Sequence, residues 1–179
     1  MRIVSGIYRA RRINPPLNLP VRPTTDMAKE ALFNILNNQF DFFSASVLDL
    51  FSGTGNISYE FSSRECELVT SVDQNKSCIK FIQQTKEQLK MENLEVVQAD
   101  CFGFVQSTWK KYDIIFADPP YDMPDYERLV NIIFEKQLLN PDGMLIVEHS
   151  KNTKLGHLPN YDNTRNYGSV HFSFFEAGE

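Results

Sequence analysis

The stretch Val47-Leu48-Asp49-Leu50-Phe51-Ser52-Gly53-Thr54-Gly55 decides the fold. Its first half is a short apolar run of the kind that forms a buried strand, and its second half is a turn that glycine makes easily. A helix is expected to begin just beyond. In open α/β sheets such a junction lies at the carboxyl ends of the strands, where ligands bind. Glycines let the backbone approach a ligand closely, and the helix start behind them offers free N–H groups. Ser52, Gly53 and Gly55 are therefore candidate ligand contacts.

Outward from this loop, apolar runs alternate with helical periods. Leu68 to Val72, Leu94 to Val97, Tyr112 to Ala117 and Met144 to Val147 read as strands. Helices are expected through Cys78, Ile79, Ile82 and Leu89, through Phe102, Val105 and Trp109, and through Tyr126, Leu129, Val130 and Ile133. Ahead of the loop, Ala28, Ala31, Leu32, Ile35 and Leu36 recur at helical spacing, with Thr24, Thr25 or Asp26 available as a cap. Buried strands joined by helices imply a mainly parallel sheet covered on both faces, an α/β Rossmann-like fold. At the end, Val170, Phe172 and Phe174 alternate with His171 and Ser173 after a Tyr167-Gly168-Ser169 turn, which predicts a C-terminal antiparallel hairpin.

The acids around the loop narrow the ligand. Asp73 ends the second strand, where a carboxylate accepts hydrogen bonds from ribose hydroxyls. A dinucleotide fingerprint wants a third glycine where Ser58 stands, and Asp49, read as part of the turn, repels a pyrophosphate but attracts an ammonium group. S-adenosylmethionine has that ammonium and no phosphate. Asp100 and Cys101 follow the third strand as further cofactor candidates; Asp100 fits an adenine amine and a helix N-cap equally well.

The fourth strand delivers Asp118-Pro119-Pro120-Tyr121 to the same sheet edge. An exocyclic base amine is a weak nucleophile because its lone pair is delocalised into the ring. Two acceptors gripping its hydrogens favour the pyramidal form that attacks. The Asp118 carboxylate and the Pro119 carbonyl are such acceptors, the prolines stiffen the turn, and Tyr121 can stack on the base. Covalent catalysis by Cys101 is not expected, and His149, His157 and His171 lack metal-ligand spacing.

The 179 residues suit one domain, and the 42% hydrophobic and 23% charged content excludes extended disorder. No apolar run approaches a membrane span, and three cysteines without a paired spacing fit a reducing cytoplasm. The formal net charge of −5 hides a polarity. Residues 1–25 hold Arg2, Arg9, Arg11, Arg12 and Arg22 and no acid, so the remainder is strongly acidic. This basic arm ends in the punctuation of Pro15, Pro16, Pro20 and Pro23, and residues 26–179 form the rest of the domain. Arginine forks suit phosphate, and Tyr8 offers a stacking surface; a solvated hairpin and a polyanion site both fit.

Taken together, these residues resemble the RsmD family of 16S ribosomal RNA guanine-N2 methyltransferases, within the class I S-adenosylmethionine-dependent methyltransferases. The carriers are Arg2-Ile3-Val4-Ser5-Gly6 with Tyr8-Arg9, Arg22-Pro23-Thr24-Thr25-Asp26, Glu30-Ala31-Leu32-Phe33-Asn34, Asp49 to Gly55, Asp118 to Tyr121 and Tyr167-Gly168. The resemblance implies that Asp49, Gly53, Gly55, Asp73 and Asp100 line the cofactor site and that Asp118 to Tyr121 hold the target guanine. It also implies 16S rRNA as substrate, within an assembling small subunit or free. The Asn-rich stretch 155–166 matches no assigned element. Two rivals stand beside this reading: a DNA adenine-N6 methyltransferase, for which little chain is left after Tyr121 to recognise a target, and an idle RNA-binding protein of the same fold.

Overall fold

The computed structural model describes residues 1–178. Seven strands and five α-helices alternate through most of the chain: α1 (Asp26–Asn37), β1 (Ser46–Leu50), α2 (Asn56–Ser63), β2 (Leu68–Asp73), α3 (Lys76–Leu89), β3 (Leu94–Gln98), α4 (Cys101–Ser107), β4 (Tyr112–Ala117), α5 (Tyr126–Glu135), β5 (Leu139–His149), β6 (Tyr161–Tyr167) and β7 (Val170–Glu176). They form one sheet in the order β3-β2-β1-β4-β5-β7-β6. The first five are parallel, and β7 runs antiparallel between β5 and β6. The strand order reverses between β1 and β4, the place where open sheets leave a crevice.

Side chains alternate across the sheet and build a core on each face. Val47, Ile114, Phe116, Met144 and Ile146 pack under α1, α2 and α3, while Leu48, Leu50, Ile115, Ala117, Leu145 and Val147 pack under α4 and α5. Register then aligns the strand ends, because Leu50 pairs with both Val72 and Ala117, and Ala117 pairs with Val147. Whatever follows these residues must emerge on one edge.

Several elements differ from the sequence pattern for identifiable reasons. The Asn-rich stretch contains β6, whose polar residues suit a solvent-facing edge strand. β5 begins earlier than Met144, and Asn140-Pro141-Asp142-Gly143 forms a bulge within it, with Asp142 at φ +61°. Helix α1 is capped by the Thr25 hydroxyl, but it buries Lys29 and Phe33 where Ala31 and Ile35 were expected, and those two are half-buried. Helix α2 is buried on all sides despite its serines and glutamate, so it carries no apolar stripe.

The burial of Lys29 has its cause at the N-terminus. Residues 1–13 form a tight hairpin in which the Ile3 N–H donates to the Arg11 carbonyl at 3.0 Å and Ala10 N–H returns to Ile3 at 2.9 Å. Ile3 and Ile13 sink into the core. The fully buried Glu60 carboxylate accepts the backbone N–H groups of Val4 at 2.9 Å and Ser5 at 3.0 Å. It also pairs with Lys29 Nζ at 3.3 Å and Arg64 at 3.2 Å. Lys29 in turn donates to the Arg2 carbonyl and to Asn56 Oδ1. Burial pulls the Lys29 ammonium below its usual pKa, opposed by Glu60. Gly6 lies against the Ser63 carbonyl, where a Cβ would come within 1.9 Å. The arm is therefore docked on α1 and α2.

Removing one partner of a buried ion pair strands the other. Lys29→Met is expected to lower unfolding free energy by about 3 to 5 kcal/mol. Urea unfolding measures it; a loss below about 1 kcal/mol would mean that Glu60 is satisfied without the lysine.

Candidate active site

The four aligned strand ends open into a cavity of about 540 Å³. One wall is the glycine loop after β1 with Asp73 and Asn75; another is Asp118 to Tyr121 after β4; Glu148 at the end of β5 and the strap 20–25 close the remaining sides. Ser52, Gly53, Asp49, Asp73, Asp100, Cys101 and the whole Asp-Pro-Pro-Tyr segment line this one space.

Within the loop, the Asp73 carboxylate is a fixed post. Its Oδ2 accepts the Gly53 N–H at 2.8 Å and its Oδ1 accepts the Asn75 N–H at 2.8 Å. A carboxylate offers about four acceptor positions, so two remain for hydroxyl groups of a ligand. Gly53 is left-handed at φ +55° and touches Val21 of the strap, whereas Gly55, at φ +88°, lies outside the cavity lining. Gly55 instead forms the N-cap of α2 and leaves room for Tyr59, which a Cβ would meet at 2.7 Å. Phe51 also adopts a left-handed conformation, at φ +58°, a strain that clusters at binding sites. Its N–H donates to Cys101 Sγ at 3.3 Å. Burial pushes the Cys101 thiol up to about 12, so it stays protonated and is no nucleophile. Asp100 caps α4, accepting the Gly103 N–H at 2.8 Å, and still lines the cavity.

Two buried carboxyl groups, Asp49 and Glu148, and the half-buried Asp118 face the same space. Asp49 is a β1 residue, not part of the turn as expected from the sequence, and is 1% exposed. Ser58, the residue that displaces a third glycine, donates its hydroxyl to Asp49 Oδ2 at 2.6 Å. Burial nevertheless raises Asp49 from 3.8 to about 7, with Asp73 and Glu148 adding repulsion. Asp118 is raised well above the ordinary carboxylate range by burial, then by Glu148 and Asp49. Glu148 is raised by burial, against hydrogen bonds from Thr24 and Tyr121. Such a cluster attracts cations and hydrogen-bond donors.

Around Asp118, the Pro120 carbonyl is already occupied by the Met123 N–H at 2.9 Å and the Tyr126 hydroxyl at 3.3 Å. The Tyr121 ring is 46% exposed, its hydroxyl reaching toward Glu148 Oε1 at 3.4 Å, so its face is open for stacking. The sequence reading overlooked Glu148 and the strap. Glu148 carried a signal, since an acid stands near the end of β5 as acids end or follow β2 and β4; in the fold, Thr24 donates to its Oε2 at 2.7 Å.

The arm residues are divided. Arg9, Arg11 and Arg12 are exposed, and Arg22 is exposed at the cavity wall. Arg2 pairs with Asp26 at 3.7 Å and Glu30 at 3.6 Å, which competes with any phosphate. Tyr8 is half-buried and donates to the Lys90 carbonyl at 3.2 Å, so it is engaged where a free stacking ring was expected.

The family described as Conserved hypothetical protein 95 matches residues 1–176. The Bacillus subtilis protein YlbH is 31% identical over 159 residues, covering 87% of this chain and 85% of that one. The Haemophilus influenzae protein named ribosomal RNA small subunit methyltransferase D is 30% identical over 160 residues, covering 87% of this chain and 81% of its own length. Among solved structures, Escherichia coli yhhF superposes with a TM-score of 0.85 at 25% identity, covering 99% of this chain and 98% of that one.

The raised Asp49 has a pH signature. Its carboxyl binds a proton more readily in the folded chain than in the unfolded one, so folding takes up a proton between pH 3.8 and about 7. Stability contributed by this group falls as pH rises through that window and is level above it. Asp49→Asn removes the effect, so the variant is expected to gain roughly 3 to 4 kcal/mol relative to the parent between pH 4 and pH 8. Parallel denaturant titrations at both pH values check this, and a constant difference would refute the buried ionisation.

Proposed function

The chain belongs to the Conserved hypothetical protein 95 family, the RsmD family toward which its motifs point, and we propose that it is an S-adenosylmethionine-dependent methyltransferase acting on the N2 amine of a guanine in 16S rRNA. The observation that carries the reading is the meeting, in one cavity, of the glycine loop, the Asp73 post and the Asp-Pro-Pro-Tyr turn. The names of the relatives support ribosomal RNA as the substrate class, and the small subunit as the particle.

The residues present fit the cofactor. The spare acceptor positions of Asp73 suit ribose hydroxyls, the Asp100 carboxylate suits an adenine amine, and Asp49 suits an ammonium group. When bound, S-adenosylmethionine supplies an electrophilic methyl group on a sulfonium. The chain's own part is to hold the amine. Asp118 and the Pro119 carbonyl grip its two hydrogens, free its lone pair from the ring, and point it along the line of attack, while Tyr121 stacks on the base. An amine that took up the methyl group would have one proton to shed, and the Asp118 carboxylate is placed to accept it. A carboxyl with a raised pKa suits this work at neutral pH.

Asp118→Ala is expected to keep cofactor affinity while lowering turnover about a hundredfold, because its partner gains most in the transition state. Calorimetry with S-adenosylmethionine and a methyl-transfer assay on 16S rRNA separate the two effects. Near-normal turnover would remove Asp118 from the chemistry.

The arm is proposed as the RNA contact. Replacing Arg9, Arg11 and Arg12 with Gln should weaken RNA binding and flatten its dependence on salt by roughly 0.7 to 0.9 slope units per phosphate lost. Cofactor affinity should hold. An unchanged salt slope on the same RNA would reduce the arm to a solvated hairpin.

A further inference from the structure

Glu148 stands beside Asp118 for a reason of register. β4 and β5 are parallel neighbours with Ala117 paired to Val147, so Asp118 and Glu148 are the next residues on adjacent strands, about 4.8 Å apart along the backbone. Both line the cavity; Glu148 is only 4% exposed, and Asp118 is half-buried. Glu148 is only partly satisfied by protein. Thr24 gives Oε2 a short bond of 2.7 Å, Tyr121 gives Oε1 a long one of 3.4 Å, and the remaining lone pairs of the carboxylate have acceptor capacity to spare. Leaving a buried carboxylate short of donors is costly, and the cost is recovered when a ligand brings them.

Two acid side chains in a row present acceptors side by side. They call for a ligand edge with adjacent donors. Among the four RNA bases only guanine has one, its N1–H beside the N2 amine. Adenine and cytosine set an amine beside a ring-nitrogen acceptor, and uracil flanks its N3–H with two carbonyls. We infer that Glu148 is a specificity-determining residue that accepts the N1–H of the target guanine while Asp118 holds the N2 amine. The inference rests on the guanine-N2 reading above and adds the group that selects the base. Thr24 and Tyr121 then serve Glu148 as anchors: the strap hydroxyl fixes one oxygen and leaves the other to share between Tyr121 and the base.

The test exchanges the hydrogen at N1. The methylated guanine is first located by comparing rRNA nucleosides from cells with and without the protein. 16S rRNA is then assembled with guanine or 2-aminopurine at that place; 2-aminopurine keeps the N2 amine but has an acceptor at N1. The parent protein should favour guanine in kcat/KM by at least about tenfold, because the analogue sets a lone pair against a carboxylate. In Glu148→Gln, whose amide can donate, that preference should shrink by about tenfold or invert. Thr24→Val, which removes the anchoring hydroxyl, should slow both substrates alike and keep the preference. Equal use of the two bases by the parent protein overturns the inference even if the glutamine variant fails to fold. An undiminished preference in a folded Glu148→Gln variant overturns it too, while N2-methylguanosine still forms. If the parent protein makes no N2-methylguanosine, the functional reading itself fails, and the failure is recognisable as such.

Discussion

The fully buried Glu60 carboxylate is the point to which the first residues of the chain are tied. Two backbone N–H groups, one lysine and one arginine converge on it, and the polar path continues from there. Lys29 reaches Asn56, the Asn56 amide donates to the Thr24 carbonyl at 3.0 Å, and the Thr24 hydroxyl donates to Glu148. The hairpin, α1, α2, the strap and the far wall of the cavity thus share one hydrogen-bonded path. A buried ion pair contributes little net stability against apolar residues of the same shape, but it tolerates only one arrangement of its partners. Here that arrangement sets the strap over the glycine loop.

The same sheet that satisfies its backbone internally concentrates unsatisfied acid at one edge. Five parallel strands carry acids at one edge: Asp73, Asp100 and Asp118 end or follow β2, β3 and β4, while Asp49 and Glu148 stand one residue short of the ends of β1 and β5. Burial raises Asp49, Asp118 and Glu148, and repulsion from neighbouring acids adds to Asp49 and Asp118. This is a locally destabilised arrangement held by two apolar cores, and ligand charge and hydrogen-bond donors are what relieve it. The strained left-handed Phe51 lies in the same loop. Strain and buried charge gathered at one edge of an otherwise regular sheet are a physical mark of a binding site.

Much of this was legible in the residues. The parallel core, the glycine turn and the Asp-Pro-Pro-Tyr end follow from short apolar runs ending in turn chemistry, because strands buried on both faces have little compositional choice. The order of strands and their alignment needed the register. Helix α2 was legible only as the helix expected after the glycine turn, and its extent was not, since a helix buried on every side has no periodic stripe to read. Lys29 was silent for a related reason: its partners Glu60 and Arg2 are distant in sequence, and only the fold brings a carboxylate and a carbonyl to it. Gly55 was read as a ligand contact although its left-handed φ serves the helix start, a distinction that composition does not carry. Asp49 was assigned to a turn because an acid in a buried strand is rare unless paired, and its partner, Ser58, lies on the next helix.

The docking of the arm explains how a net-acidic protein can approach a polyanion. The hairpin is held through backbone groups: Val4 and Ser5 N–H on Glu60, Ile7 N–H on the Ser63 carbonyl at 2.8 Å, and Tyr8 N–H on Ser63 Oγ at 3.0 Å. Main-chain attachment leaves the side chains of Arg9, Arg11 and Arg12 exposed. Among the described residues, only Arg2 of the arm's arginines is drawn into ion pairs, with α1. On the proposed reading, phosphates meet a fixed row of arginine forks and not the acidic body behind them. A flexible basic tail would have to be ordered on binding at a cost in entropy, whereas this one is ordered by folding. Arg22 is exposed separately from the hairpin, at the cavity wall beside the acid pocket. On that reading, the acids lining the pocket reject phosphate at its mouth and accept the donor-rich edge of a base.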